Sequence, residues 1–157
     1  MKTVKTIHKP DRYWIFLNQD ITIYSIEDYE DADPMMQPQE PNEHGVFYPK
    51  RQGFVFAMAK DYFFFIAVAK HLDRYFYALN LFQPESASCG CPSVNDPEQS
   101  AFSLRECLVK ALNAARQKSF YQGAPPFPLY IRTANDALQR IRKTEAIQPS
   151  LFDSIDW

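Results

Sequence analysis

The amino-acid sequence predicts an α+β domain: a mainly antiparallel sheet of about five strands, one long amphipathic helix packed on it, then a short helix and a tail. Three observations predict it. An apolar stretch over 53–82 breaks into three aromatic and β-branched runs, 54–59, 62–69 and 75–82, separated by short charged clusters. Such runs favour a pleated, half-buried surface, so consecutive ones read as an antiparallel meander. Turn chemistry at 83–93 closes the meander, and a helix start with its own cap follows at Ser103. A buried helix is the competing reading for short apolar runs. Against it, Tyr62, Phe63, Phe64 and Phe65 put four aromatics in a row, which crowds every face of a helix, and the charged breaks recur at strand-length intervals.

Composition bounds the function. With 157 residues, 15% of them aromatic, the chain has the material for one domain with a sizeable core. A formal net charge of −2 gives no global attraction to nucleic acid or anionic membrane, so any polyanion contact has to be local. The longest apolar run is far short of the roughly 20 residues of a membrane-spanning helix. No apolar stretch follows the charged N-terminal residues, so a cytoplasmic location is expected. Three cysteines fit a reducing compartment better than a disulfide framework.

In chain order, a basic arm carries Lys2, Lys5, His8, Lys9 and Arg12. Residues 13–17 and 21–26 read as two strands joined by a hairpin turn at Asn18, Gln19 and Asp20. From 27 to 49 the composition changes. Pro34, Pro38, Pro41 and Pro49 fall here with seven acids between Glu27 and Glu43, and no Lys or Arg occurs from 13 to 49. Proline removes ladder donors and the acids repel one another, which predicts a long acidic loop that is removable without loss of the fold. A sharper reading makes this loop a mimic of a nucleic-acid backbone that occupies a DNA-binding protein.

The helix signal is explicit. Ser103 followed by Glu106 is a capping box, and Phe102 against Cys107 is spaced as a hydrophobic staple. Leu104, Cys107, Leu108, Ala111, Leu112 and Ala115 then make one apolar face, with Arg105, Lys110, Arg116 and Lys118 off it. Gly123, Pro125, Pro126 and Pro128 end the unit. A second helix is expected over 133–147, capped near Thr133 or Asn135, with Ala137, Leu138 and Ile141 inward and Arg140, Arg142 and Lys143 outward. The organisation is thus a sheet-plus-helix domain over 1–128 with its acidic loop at 27–49, a short helix at 129–147 and a peptide-like tail at 148–157.

Catalytic and metal chemistry find little purchase. His8, His44 and His71 are dispersed, and no glycine-rich phosphate loop exists. Cys89 and Cys91 flank a glycine with a one-residue spacing that structural zinc sites do not use, so a tight turn with small buried thiols is the better reading. No catalytic residue, metal ligand, cofactor or membrane contact is assigned, and nothing fixes an oligomeric state. Strand-end charges Lys50, Arg51, Lys60, Lys70 and Arg74 are the candidate nucleic-acid contacts if the sheet reads DNA, although such charges are more often solvated turns.

The tail holds the clearest functional motif. At Gln148, Pro149, Ser150, Leu151 and Phe152 it resembles the short peptide by which bacterial polymerases, repair proteins and some phage and plasmid proteins dock on the DNA sliding clamp. The resemblance implies that Gln148 hydrogen-bonds in a small polar pocket, that Ser150 keeps the motif's polar position, and that Leu151 and Phe152 fill an apolar cleft. Pro149 stands where the motif usually has Leu, which removes one apolar contact and a backbone N–H. The order of meander, Cys-Gly-Cys turn, capped helix and tail also resembles small accessory proteins encoded on plasmids and phages. What the resemblance implies is a non-enzymatic accessory protein with a sliding clamp as partner. The competing reading makes Leu151, Phe152 and Ile155 an amphipathic turn, capped by Ser150, that docks on the protein's own sheet.

Overall fold

A computed structural model describes residues 4–5, 21–24, 26–47, 51–59, 62–83, 86–88, 90–117 and 128–147. The fold is α+β, as the sequence predicts. Among these residues one sheet has the order β1 (Val4–Lys5), β2 (Ile21–Tyr24), β3 (Arg51–Ala59), β4 (Tyr62–His71), β5 (Arg74–Gln83) and β6 (Ser86–Ser88), with β7 (Ser100–Ala101) also pairing with β5. The meander is β3, β4 and β5. Its register places Phe56 beside Phe64, Val68 beside Tyr77 and Lys70 beside Tyr75. Every residue of β4 from Phe64 to Ala69 is buried. A strand covered on both faces has no polar side to alternate with, which is why its sequence reads as a continuous apolar run.

One glycine is dictated by this sheet. Gly53 pairs with Ala67, and a Cβ on it would stand 1.9 Å from the carbonyl oxygen of Ile66. Only a residue without a side chain fits there.

β2 departs from expectation. It pairs antiparallel with β1 but parallel with β3, Ile21 opposite Arg51 and Tyr24 opposite Phe54. Parallel neighbours need a crossover, and residues 25–50 supply it. That stretch is therefore not a plain loop. It holds a 3-10 turn, Ile26–Asp28, and the helix α1, Tyr29–Met35. Ile26, Tyr29, Ala32 and Met36 are buried in the main core. Their helical spacing puts them on one side, while Glu30 and Asp31 favour the positive end of the helix dipole. The strand expected at 13–17 lies outside the described residues.

The helices share one face of the sheet. α2, Leu104–Ala115, buries all six predicted positions, and the Ser103 hydroxyl oxygen accepts from the Glu106 amide at 3.1 Å. The staple is corrected. Phe102 is 62% exposed and lies under the Arg74 guanidinium, 4.3 Å from its ring centre, instead of against buried Cys107. α3 spans Pro128–Ile147 and so starts five residues before the expected helix. Pro128 is its first residue, where a missing N–H costs nothing. Tyr130, Ala134, Ala137, Leu138 and Ile141 bury its inner side. Tyr130 meets Phe64 edge-on at 5.9 Å, and Phe64 stacks on Phe56 at 4.7 Å.

Three outcomes follow for stability. Ser103→Ala should lower the free energy of unfolding by about 1 kcal/mol, the usual worth of an N-cap, and an unchanged denaturation midpoint would contradict the cap. Met36→Ala should cost about 2–5 kcal/mol in urea denaturation, as deletions of buried side chains do. Removing residues 27–43 should abolish the cooperative transition, because it takes Tyr29, Ala32 and Met36 from the core.

Candidate functional site

The described polar groups concentrate where the crossover meets the end of the β4–β5 hairpin. Lys70 and His71 are adjacent on β4, so their side chains leave opposite faces. On the helix side, Lys70 Nζ donates to the backbone carbonyl of Asp33 at 3.3 Å and to its carboxylate at 3.4 Å. Tyr75, directly across the hairpin from Lys70, donates its hydroxyl to the same carboxylate at 2.5 Å. Burial, and then the Asp33 carboxylate, hold the Tyr75 phenol well above its ordinary pKa.

On the other face His71 Nδ1 lies 2.9 Å from the Gln39 carbonyl and 3.2 Å from the Glu40 carboxylate. Its ring packs 5.5 Å from Phe47, which in turn meets Phe76 at 5.4 Å. Between these grips the backbone of Gln39 donates to the Lys70 carbonyl at 2.7 Å, and Gln52 Nε2 donates to the Gln37 carbonyl. The crossover then closes through an Asn42 turn, whose side chain accepts from the amides of His44 and Val46. Gly45 adopts φ +80° there, and a Cβ on it would meet Asn95 and Val94 at 2.9 Å.

This geometry holds a chain segment in place. Of the seven predicted acids, Asp33 and Glu40 face groups of the hairpin, and Glu27 pairs with Arg140 of α3 at 2.9 Å. Carboxylates already facing cations or a histidine of their own chain present less negative charge to a partner. The sequence showed none of these pairings, because each joins residues more than thirty positions apart. The available signal was the helical spacing of Tyr29, Ala32 and Met36, which the prolines and acids overrode.

The remaining candidate residues are scattered. Lys70 is committed to Asp33. Arg74 donates to Ser100 Oγ at 2.5 Å and covers Phe102. Arg51 opens β3, while Lys50 and Lys60 lie outside the described residues. So do Gln148, Ser150, Leu151 and Phe152. Cys89 is likewise outside, Cys91 is half-buried, and Cys107 is buried in the core with its thiol pushed up to about 12 by desolvation. Among the described residues no cluster of three or more His, Cys, Asp or Glu side chains is placed to hold a metal ion. Nor is any described helix long and apolar enough to cross a membrane.

Tyr75→Phe tests the grip on the crossover. It should lower stability at neutral pH by about 1 kcal/mol, the net worth of one hydrogen bond. Burial also raises the phenols of Tyr24 and Tyr77. Raised folded-state pKa values mean that stability is full below about pH 10, where unfolded tyrosines are protonated, and falls as pH rises beyond it. Removing the Tyr75 phenol should make that alkaline loss shallower in urea titrations, and an identical pH profile would contradict the assignment. No protein-family model, curated protein or solved structure matches the chain.

Proposed function

We propose that this chain is a non-enzymatic accessory protein of a bacterial mobile element, recruited to DNA replication or repair machinery by a sliding-clamp-binding peptide at Gln148, Ser150, Leu151 and Phe152. The observation that carries the reading is the motif itself, which places a polar residue, Gln148, three positions before the apolar pair Leu151 and Phe152. A second feature supports it. α3 ends at Ile147, so the motif begins at the residue after a helix whose inner side is anchored by Tyr130, Ala134, Ala137 and Ile141. A peptide that leaves an anchored helix starts from a fixed point, which limits the chain entropy lost on docking.

Surface plasmon resonance on an immobilised bacterial sliding clamp tests this directly. The dissociation constant should be on the order of micromolar, because a short peptide loses ordering entropy and buries only two large side chains. Leu151→Ala with Phe152→Ala should abolish binding, since each buried apolar side chain is worth about 1.5–3 kcal/mol. The same double variant should melt at the wild-type temperature. Absence of clamp binding by wild type at tens of micromolar, together with a markedly earlier melt of the variant, would instead assign the tail to self-docking.

A further inference from the structure

We infer that the flank of α3 that faces α2 is a nucleic-acid-backbone contact surface, built on Arg116, Arg132 and Arg142. Arg132, Asn135, Gln139 and Arg142 fall at i, i+3, i+7 and i+10 along α3 and share one side of the helix. Arg132, Gln139 and Arg142 are exposed and Asn135 is half-buried. α2 adds a third guanidinium from its C-terminal end, where Arg116 Nη1 donates to Asn135 Oδ1 at 2.9 Å. That bond fixes the arginine against α3. The row extends about 15 Å along the helix axis at 1.5 Å per residue.

The charge around α3 is divided. Arg140, on the opposite flank, is neutralised twice, by Asp136 at 2.8 Å and by Glu27 of the crossover at 2.9 Å. Asp136 also stands one turn from Arg132, but its carboxylate is turned to Arg140. Among the described residues no carboxylate pairs with Arg132, Arg142 or Arg116. The crossover acids therefore quench one side of the helix and leave the α2 side cationic. Guanidinium groups present planar donor forks that match phosphate oxygens, and the interleaved amides of Asn135 and Gln139 add neutral donors of the kind that contact sugar and phosphate. An acidic protein is the other polyanion to consider. A regular line of phosphates fits two arginines about 15 Å apart on one helix, with Arg116 held between them at Asn135, better than carboxylates on flexible side chains do. Its residues are distinct from the strand-end charges of the sheet and from the tail motif.

Fluorescence anisotropy with a labelled duplex of about 20 base pairs, at about 50 mM salt and upward, tests the assignment. Three phosphate contacts predict weak, sequence-independent binding, with log K falling against log salt with a slope of about −2.7. Arg132→Gln with Arg142→Gln should weaken binding at least tenfold and reduce the slope by about 2. Arg132→Lys with Arg142→Lys should keep most of the slope, and thermal melts of both variants should match wild type. The inference is overturned if wild type fails to bind at about 100 μM protein and about 50 mM salt, because non-specific dissociation constants reach only about 100 μM even at the higher physiological salt. It is overturned equally if the Gln variant keeps the wild-type slope, or if polyglutamate displaces the duplex as well as unlabelled duplex does. Low-salt self-association that is lost in the Gln variant and that duplex does not compete away would assign the surface to a second copy and also overturn it.

Discussion

The contact on which the rest of the molecule depends is the aromatic sandwich centred on Phe64. It stacks on Phe56 across the β3–β4 pair and receives the edge of Tyr130 from α3. Phe54, Ile66 and Tyr77 extend the same buried layer over three strands, and Leu104, Leu108 and Leu112 of α2 pack into it. Aromatic pairs carry large buried area and add about 0.5–1.5 kcal/mol from ring geometry. Because the sandwich joins the first turn of α3 to the middle strand of the meander, it fixes where that helix begins. It also fixes which side of the helix is left for solvent.

The crossover solves a problem that this sheet creates. β2 runs parallel to β3, so residues 25–50 must carry the chain from one end of the sheet back to the opposite end. The chain covers that distance with a short amphipathic helix, whose buried side is Tyr29 and Ala32, and Met36 just after it enters the same core. It is then pinned from both faces of one strand, by Lys70 below and His71 above. An acid-rich segment without a cation of its own can be held this way only if the sheet supplies the partners. Lys70, Tyr75 and His71 are those partners, and Arg140 of α3 adds a fourth. The repulsion that predicted a free loop is offset by pairing with residues distant in sequence.

The legible parts were those set by local pattern. Runs of β-branched and aromatic residues marked the meander, and the spacing of Leu104, Cys107, Leu108, Ala111, Leu112 and Ala115 marked the buried side of α2 because a helix of 3.6 residues per turn forces those positions together. Ser103 was readable because a cap is a contact three residues long. What failed needed tertiary information. Phe102 has staple spacing, yet an arginine from the neighbouring hairpin competes for its ring, and the local pattern cannot see that hairpin. Pro128 read as a stop because proline both ends and begins helices, and only the buried Tyr130 that follows it decides which. Of the polar grip, Lys70 and Tyr75 bracket the predicted turn of the meander, but their pairing appears only in the register of the folded hairpin. Asp33 was hidden in a stretch whose composition argued for disorder.

One element connects the two proposed surfaces. α3 carries Arg132 and Arg142 on its outer side and ends at the residue before Gln148. Its inner side is held by buried contacts from Tyr130 to Ile141, so neither its rotation nor its axial position is free. A ring buried at one residue determines the direction of every side chain on the same helix, at about 100° per residue. Arg132 and Arg142 thus point away from the core for the same reason that Ala134 and Ile141 point into it. Glu27 of the crossover reaches the flank of α3 next to the 3-10 turn, because it sits on that turn and Arg140 is within its range. The sidedness of charge on this helix is therefore a consequence of the parallel β2–β3 pairing, which brings the acidic crossover to one side of α3 and leaves α2 on the other.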